Sequence, residues 1–280
     1  MRIFLRGLRP GWMLLVLCLA LLVGFSSCIS LPLSAQPTPT ISPVARTVTP
    51  TPDKLQYQPF KPLLAKVLAT GSVYVTGDQS VPDEALKVAS DELDAMLRHR
   101  PDLGAILRQY GTFTVVASRN ERICDLPYFS QFDSALCKSY GEGGAGGVSG
   151  YPITACDEKN LLQEPDDPYQ RGASSLGQNI CVHELAHTIM NVGLSQGDRD
   201  RIDDRYLAAK QEGLWAGDYA MTNDLEFWAV MSQFYFSAGP NGTYSPTFNH
   251  VANGPDALKQ YDPATFALLG AIYQGSTALR

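Results

Sequence analysis

A cluster of basic residues is missing from this sequence of 280 residues. Lysine and arginine together number 22, against 28 aspartates and glutamates. The first 27 residues contain three of the arginines and no acidic residue. The remainder therefore has 19 basic and 28 acidic residues, a net charge of −9. Such a surface argues against binding to nucleic acid and against electrostatic docking on anionic lipid.

The apolar run near the N-terminus is too short to cross a bilayer comfortably. Arg2, Arg6 and Arg9 precede about 13 almost wholly apolar residues at 13–25, whereas a spanning helix needs roughly 18–20. A basic start followed by a short apolar run predicts a signal peptide over residues 1–27, with an uncleaved signal anchor as the alternative. In either case we expect the rest of the chain to leave the cytoplasm.

The apolar run ends in Phe25, two serines and Cys28. Small residues just before a cysteine resemble a bacterial lipoprotein signal, so we predict that Cys28 becomes a lipid-modified N-terminus that anchors the protein in the bacterial cell envelope. Phe25 departs from the aliphatic residue that is usual three places before this cysteine. Cleavage after Ala35 is the alternative, and it would give a secreted protein without an anchor.

Large apolar residues are almost absent after Leu33, where prolines are interspersed with serine and threonine. Such a segment cannot bury a core and is expected to be an extended, semi-rigid spacer. We therefore predict a disordered Pro/Thr-rich tether over residues 28–56. The remaining residues, 57–280, are expected to form a single domain with a substantial core.

The six cysteines include no Cys-x-x-Cys pair, which disfavours a cysteine zinc knuckle. One cysteine lies in the signal peptide and another is the predicted lipidation site. The four that remain are Cys124, Cys137, Cys156 and Cys181. Four cysteines in an exported domain predict two disulfides, and the sequence leaves three pairings open.

Apolar periodicity predicts a mixture of helices and strands without an internal repeat. Helical spacing occurs over residues 81–97, 102–110, 178–191, 222–237 and 264–273. Gly193 is placed to cap the third of these helices. Strands are expected at 73–76 and 112–117. The other segments are a short helix at 61–71, a polar connection at 195–204 and a loop-like stretch at 241–262.

Residues 141–150 contain six glycines. A phosphate-binding loop would need a following Lys-Ser/Thr and an immediate helix, and the sequence has neither here. We therefore expect a mobile loop, or backbone that approaches another chain closely.

Histidine is scarce, with four in the chain, and two of the four lie one helical turn apart. Residues 183–187 read His-Glu-Leu-Ala-His among apolar neighbours, so His183 and His187 project from one face of a central helix. Neutral imidazoles suit Zn²⁺, and Glu184 is placed to take a proton from water at the metal. Two histidines satisfied by ordinary hydrogen bonds are the alternative.

A third ligand must come from elsewhere in the chain. The metzincin extension of the motif is excluded because residues 190 and 193 are methionine and glycine, not glycine and histidine. The downstream candidates are Glu212, Asp218, Asp224, Glu226 and His250. Glu212 and Asp218 lie in a polar region, where solvation explains them. Asp224 points away from the apolar face, and His250 is most simply a loop or surface residue.

Glu226 is the favoured third ligand. Its helical neighbours are apolar, and a carboxylate on an apolar face needs a compensating partner, which a metal supplies. Asn223 is expected to cap this helix. Tyr219 lies seven residues before Glu226, about two helical turns, and its hydroxyl could donate to an oxyanion. Core packing is the alternative for Tyr219.

These residues together resemble the gluzincin branch of zinc metallopeptidases, and more narrowly the group related to the catalytic domain of anthrax lethal factor. The motif at 183–187 and the stretch 219–229, Tyr-Ala-Met-Thr-Asn-Asp-Leu-Glu-Phe-Trp-Ala, carry the resemblance. Segments 125–127, 158–161 and 167–169 are also similar to secreted domains of this group. The resemblance is specific over about residues 120–236 and weak outside them.

The resemblance implies a single α+β, zincin-like domain with a central His-Glu-x-x-His helix and a second, glutamate-bearing helix. It implies His183, His187 and Glu226 as zinc ligands, Glu184 as the base and Tyr219 as the oxyanion donor, acting on a peptide or protein substrate. The rival functions are an inactive zinc-binding scaffold and a zinc hydrolase directed at the cell wall.

Overall fold

Five strands form one mixed sheet in the computed structural model, which describes residues 66–69, 73–129, 143–164, 178–239 and 254–274. All of these residues belong to one compact unit, Pro52–Arg280. The strands are β1 Lys66–Ala69, β2 Tyr74–Gly77, β3 Phe113–Ala117, β4 Gly144–Ala145 and β5 Ile153–Asp157. The predicted signal peptide and tether lie outside the described residues, as do Cys28, Cys137 and His250.

The strands follow the order β1-β2-β3-β5-β4. The three central strands are parallel, and the two edge strands are antiparallel to their neighbours. Every residue of β3 and β5 is buried. Their nearly continuous apolar and β-branched sequences fit strands whose two faces are both covered.

Helices make up most of the remaining described structure. They are α1 Asp83–Leu97, α2 Pro101–Gln109, α3 Glu158–Leu161, α4 Ile180–Thr188, α5 Gln196–Glu212, α6 Asp224–Tyr235, α7 Pro255–Tyr261 and α8 Pro263–Tyr273. Two short 3₁₀ turns, Ile123–Asp125 and Tyr219–Met221, and a π-helical segment, Ile189–Gly193, accompany them. The domain therefore belongs to the mixed α+β class. Within the described ranges, no helix is both long and apolar enough to cross a membrane.

α4 and α6 pack against each other at the centre of the domain, and α4 also packs on β5. Each residue of α6 from Phe227 to Tyr235 is buried, as expected of a helix that is surrounded by core on all sides. A disulfide between Cys156 of β5 and Cys181 of α4 joins the sheet to the helix. Cys124 is disulfide-bonded as well.

The short helix predicted at residues 61–71 is wrong where the structure describes this segment. Lys66–Ala69 is strand β1, which pairs with β2 in an antiparallel ladder. The Thr76 hydroxyl donates to the Lys66 carbonyl at 2.7 Å, and the Lys66 ammonium bonds to Asp83 at 2.8 Å. Pairing with a neighbouring strand therefore decides the conformation of this segment, and the local sequence does not show that pairing.

The polar connection predicted at residues 195–204 is also wrong, because these residues lie mostly in helix α5. Ser195 caps it, with its hydroxyl oxygen accepting the Asp198 N–H at 3.2 Å. Ile202, Tyr206 and Ala209 form a narrow buried stripe at helical spacing. The many charged residues on the other faces hide this stripe in the sequence.

Other element boundaries differ from the prediction as well. α7 occupies part of the segment at 241–262 that is predicted as loop-like, and β4 and β5 lie in segments for which no strand is predicted. α4 changes to π-helix at Ile189, and Gly193 is the last residue of that segment rather than a cap. The helices at 81–97, 102–110, 222–237 and 264–273 and the strands at 73–76 and 112–117 are confirmed to within about two residues.

Candidate metal centre

Helix α4 brings two histidines to the centre of the domain. Asn179 caps its N-terminus, with the side-chain oxygen accepting the Val182 N–H at 3.1 Å. His183 and His187 lie one turn apart, and their Nε2 atoms face each other at 3.0 Å. Two ring nitrogens at this distance are held together by either a shared proton or a shared cation.

Helix α6 adds a carboxylate to the same place. Asn223 caps α6 by accepting the Glu226 N–H at 2.8 Å, which confirms the predicted role of Asn223. Glu226 therefore lies in the first turn, where the unpaired N–H groups favour a negative charge. Its Oε2 atom is 3.0 Å from His183 Nε2 and 3.5 Å from His187 Nε2.

The three donor atoms form a triangle with edges of 3.0, 3.0 and 3.5 Å. Tetrahedral ligands about 2.1 Å from a zinc ion lie about 3.4 Å apart, so the triangle is slightly smaller than a loaded site requires. The group could therefore hold a metal ion after a small outward shift of the side chains. The structure thus brings the predicted ligands His183, His187 and Glu226 together.

Burial and charge both mark this place. The side chains of His183, His187 and Glu226 are 8%, 12% and 15% exposed, so one side of the group stays open to solvent. Burial opposes ionisation of Glu226, but hydrogen bonds from the two histidines outweigh it and hold its pKa well below the usual range. Burial also disfavours the charged form of His183, yet Glu226 and Glu184 raise its pKa. A bound cation would supply the positive charge that these carboxylates attract.

Glu184 lies beside the three donor groups on α4. Burial raises the pKa of Glu184, and the charges of His183 and His187 oppose this shift, as does a hydrogen bond from the Gly146 N–H. A raised pKa makes Glu184 a better proton acceptor than an ordinary carboxylate, which suits a general base. The geometry is therefore compatible with the base that the sequence predicts.

Gly144 and Gly146, in the described part of the glycine-rich segment, lie directly against Glu184 and His187. A Cβ atom at Gly144 would stand 2.5 Å from Glu184 Cγ, and one at Gly146 would stand 2.5 Å from His187 Cβ. No side chain fits at either position without movement. The backbone does make a close approach at Gly143, Gly144 and Gly146, but the segment that it meets is α4 of the same chain and not another chain.

Side chains of α4 and its π-helical extension hold this segment in place. The Thr188 hydroxyl accepts the Gly147 N–H at 2.7 Å and donates to the Glu184 carbonyl at 3.0 Å. Asn191 donates to the Gly147 carbonyl at 3.1 Å. These glycines are not among the predicted site residues, and the run of six glycines was the signal in the sequence that could have indicated them.

Tyr219 is close to the site but not in the predicted setting. It begins a 3₁₀ turn before α6 rather than an extension of that helix, because Asn223 starts α6 four residues later. Its ring centroid is 6.3 Å from that of His183, and the residue is 39% exposed. A side chain that borders the group and faces solvent can contact a bound substrate.

The other acidic candidates have different roles. Glu212 pairs with Arg205 at 2.7 Å. Asp218 is buried and caps the 3₁₀ turn by accepting the Ala220 N–H at 3.0 Å, so its assignment to a solvated region is wrong. Asp224 lies in the first turn of α6 and is not part of the group.

Comparisons with protein families and with curated proteins give no match. No protein-family model matches the chain, and no curated protein matches it. The gluzincin relationship therefore stays a prediction that rests on the residues quoted above.

Proposed function

We propose that this chain is an exported, zinc-dependent metallopeptidase with a zincin-like catalytic domain. The observation that carries the proposal is the convergence of His183, His187 and Glu226 on one point, with Glu184 next to the two histidines on helix α4. Two neutral imidazoles and one carboxylate are the ligand set of catalytic zinc sites that keep a fourth position open. A purely structural zinc site would have no use for Glu184.

A zinc ion bound here supplies a Lewis acid and lowers the pKa of water at the site to about 7. Glu184 takes a proton from the attacking water and later delivers it to the leaving amine. The Tyr219 hydroxyl donates a hydrogen bond to the oxyanion that forms from the substrate carbonyl. The Gly146 N–H donates a hydrogen bond to the Glu184 carboxylate and so limits its movement.

The sheet edge favours an extended peptide as the substrate. Among the described residues, β4 is the last strand of the sheet and pairs only with β5. Gly144 of this strand lies directly against Glu184. A peptide that added to this edge by main-chain hydrogen bonds would pass beside the base and the three ligands. This placement supports a peptide bond, rather than a smaller amide, as the scissile group.

The export and the lipid anchor at Cys28 are part of the proposal. They are supported by the basic and apolar start of the chain and by the small residues before Cys28. The disulfide Cys156–Cys181 adds support, because such bonds persist in oxidising compartments outside the cytoplasm.

Metal analysis and turnover of a mixed peptide library test the proposal on the full chain. Glu184→Gln should retain one zinc per chain and lose about 10²–10⁴-fold in kcat, since it removes the base alone. Glu226→Ala should lose most of its zinc. Glu212→Ala is the matched control, because this glutamate pairs with Arg205 away from the centre, and it should keep both zinc and activity.

Two outcomes would overturn the proposal in different ways. Full zinc occupancy in Glu226→Ala would remove that residue from the ligand set. Zinc binding by the wild type without turnover of any peptide would instead favour the inactive scaffold that the sequence also permits.

A further inference from the structure

His183 has a buried partner on the side of its ring that faces away from the other donor atoms. Its Nδ1 atom is 3.1 Å from Oε1 of Gln233, a residue of α6 with no exposed surface. Gln233 lies seven residues after Glu226, so two turns of α6 place both side chains against the same histidine.

The orientation of the Gln233 amide follows from its second contact. Its Nε2 atom donates to the main-chain carbonyl of Asn179 at 2.8 Å, and a carbonyl can only accept. The oxygen end of the amide must therefore face His183. Gln178 also points an N–H at that oxygen, at 3.4 Å.

This orientation determines which nitrogen of His183 carries a proton. An oxygen at Gln233 Oε1 requires a donor at His183 Nδ1, so the proton resides there. In the neutral ring that binds a metal, Nε2 then keeps its lone pair, and this lone pair is directed at the place between Glu226 and His187 where the metal would lie.

The contact chain continues beyond Gln233 to a buried acid on another helix. Asn179 donates its side-chain N–H to Oε1 of Glu92 on α1, while its side-chain oxygen caps α4. Glu92 is 7% exposed, and its other oxygen has no hydrogen-bond partner among the described residues. Glu92 thus holds the side chain of Asn179, and the main-chain carbonyl of the same residue sets the orientation of the Gln233 amide.

We propose that Glu92, Asn179 and Gln233 form a buried positioning network that fixes the tautomer and the ring orientation of His183 as a metal ligand. The inference rests on the metal site of the proposed function. Outer partners of this kind orient ligand histidines, and their loss typically weakens metal affinity 10- to 100-fold. Here the partner is a neutral amide, and the last member of the network belongs to a helix that contributes no ligand.

Zinc affinity of the folded full chain, measured by competition with a chromophoric chelator, tests the network. Gln233→Met keeps a similar volume but makes neither hydrogen bond, and it should bind zinc 10- to 100-fold more weakly than the wild type. Gln196→Met is the control, because Gln196 is exposed on α5, and its zinc affinity should not change. The Co²⁺ absorption spectrum should differ between wild type and Gln233→Met if the ligand ring has reoriented.

A second pair of variants keeps the test decisive if Gln233→Met folds poorly. Glu92→Leu removes the acceptor for Asn179, whereas Glu92→Gln retains an oxygen at that place. Glu92→Gln should therefore bind zinc several-fold more tightly than Glu92→Leu. The melting temperature of each zinc-free protein, measured in parallel, separates lost metal affinity from lost stability.

The outcomes distinguish this inference from the proposed function. A wild-type chain that binds no zinc would overturn the metal site itself. A wild type that binds zinc, with equal affinities and equal Co²⁺ spectra across the Gln233 and Glu92 variants, would overturn the network alone.

Discussion

The indole N–H of Trp228 donates to the Ala186 carbonyl at 2.8 Å, and both groups are buried. Trp228 is two residues after Glu226 on α6, and Ala186 precedes His187 on α4. The bond is therefore a direct link between the helix that carries the carboxylate and the helix that carries the histidines. It lies just before α4 changes to π-helix, a distortion that occurs frequently at functional sites.

Removal of this bond should loosen the metal centre. Trp228→Phe leaves the Ala186 carbonyl without its indole donor, so we expect the free energy of unfolding to fall by about 1–3 kcal/mol. Zinc affinity should fall about tenfold, because α6 is then free to shift relative to α4. Chemical denaturation and chelator competition measure the two effects.

Trp215→Phe is the matched control for this prediction. Its indole N–H donates to Asp262 at 3.0 Å, so the variant loses a similar buried bond, but neither residue lies on α4 or α6. It should be destabilised with unchanged zinc affinity. Equal loss of zinc affinity in both tryptophan variants would show that the Trp228 bond has no specific role in the centre.

The close packing of Gly144 against Glu184 should not tolerate an added methyl group. In Gly144→Ala the new Cβ would overlap Glu184 Cγ, so the base must move, and displacement of a catalytic group by about 1 Å can reduce kcat 10²-fold. Zinc content should remain full, since no ligand is touched. Gly197→Ala on α5 is the control, because its nearest side-chain atom is 3.9 Å from the new Cβ. Normal kcat in Gly144→Ala would mean that this segment moves aside freely.

Glu92 should make the stability of the domain depend on pH. Burial raises the pKa of Glu92 to about 8 from the ordinary value of 4.5, although the Asn179 hydrogen bond opposes the shift. Between these values the folded state retains a proton that the unfolded state has lost. The stabilisation of the folded state by protonated Glu92 is thus fully present below about pH 4.5. It decreases as the pH rises toward 8, by at most about 1.4 kcal/mol per pH unit.

Denaturation of wild type and Glu92→Gln between pH 5 and 8 measures this contribution. The free energy of unfolding of the wild type, taken relative to Glu92→Gln, should decrease steadily across the interval. The control Glu84→Gln alters an exposed residue of the same helix and should show no such trend. A constant difference between wild type and Glu92→Gln would mean that Glu92 is ionised in the folded state throughout.

The sequence was sufficient to predict the centre wherever local spacing decides the geometry. His183 and His187 are one turn apart on any helix, and Glu226 stands out as a carboxylate among apolar neighbours. Asn223 was identified as a cap because capping depends on residues three apart in sequence. The strand β3 and helices α1, α6 and α8 likewise follow from periodicity alone.

Other parts of the centre depend on contacts between distant segments, and the sequence could not show them. Gly144 meets Glu184 only because β4 pairs with β5, a register that no local pattern specifies. Glu92 looks like one of several acidic residues on α1, and its burial against Asn179 depends on how α1 and α4 pack. For the same reason Lys66–Ala69 becomes a strand only when β2 is beside it.

The disulfide Cys156–Cys181 should stabilise the domain and link its stability to the compartment. It closes a loop with a sequence separation of 25, for which chain entropy predicts a contribution of about 3–4 kcal/mol. The double variant Cys156→Ala/Cys181→Ala should unfold at a correspondingly lower denaturant concentration. Wild-type protein produced in a reducing cytoplasm should be no more stable than the double variant until it is oxidised, because neither this bond nor that of Cys124 has formed there. Equal stability of the oxidised wild type and the double variant would show that packing between β5 and α4 holds the helix without the covalent link.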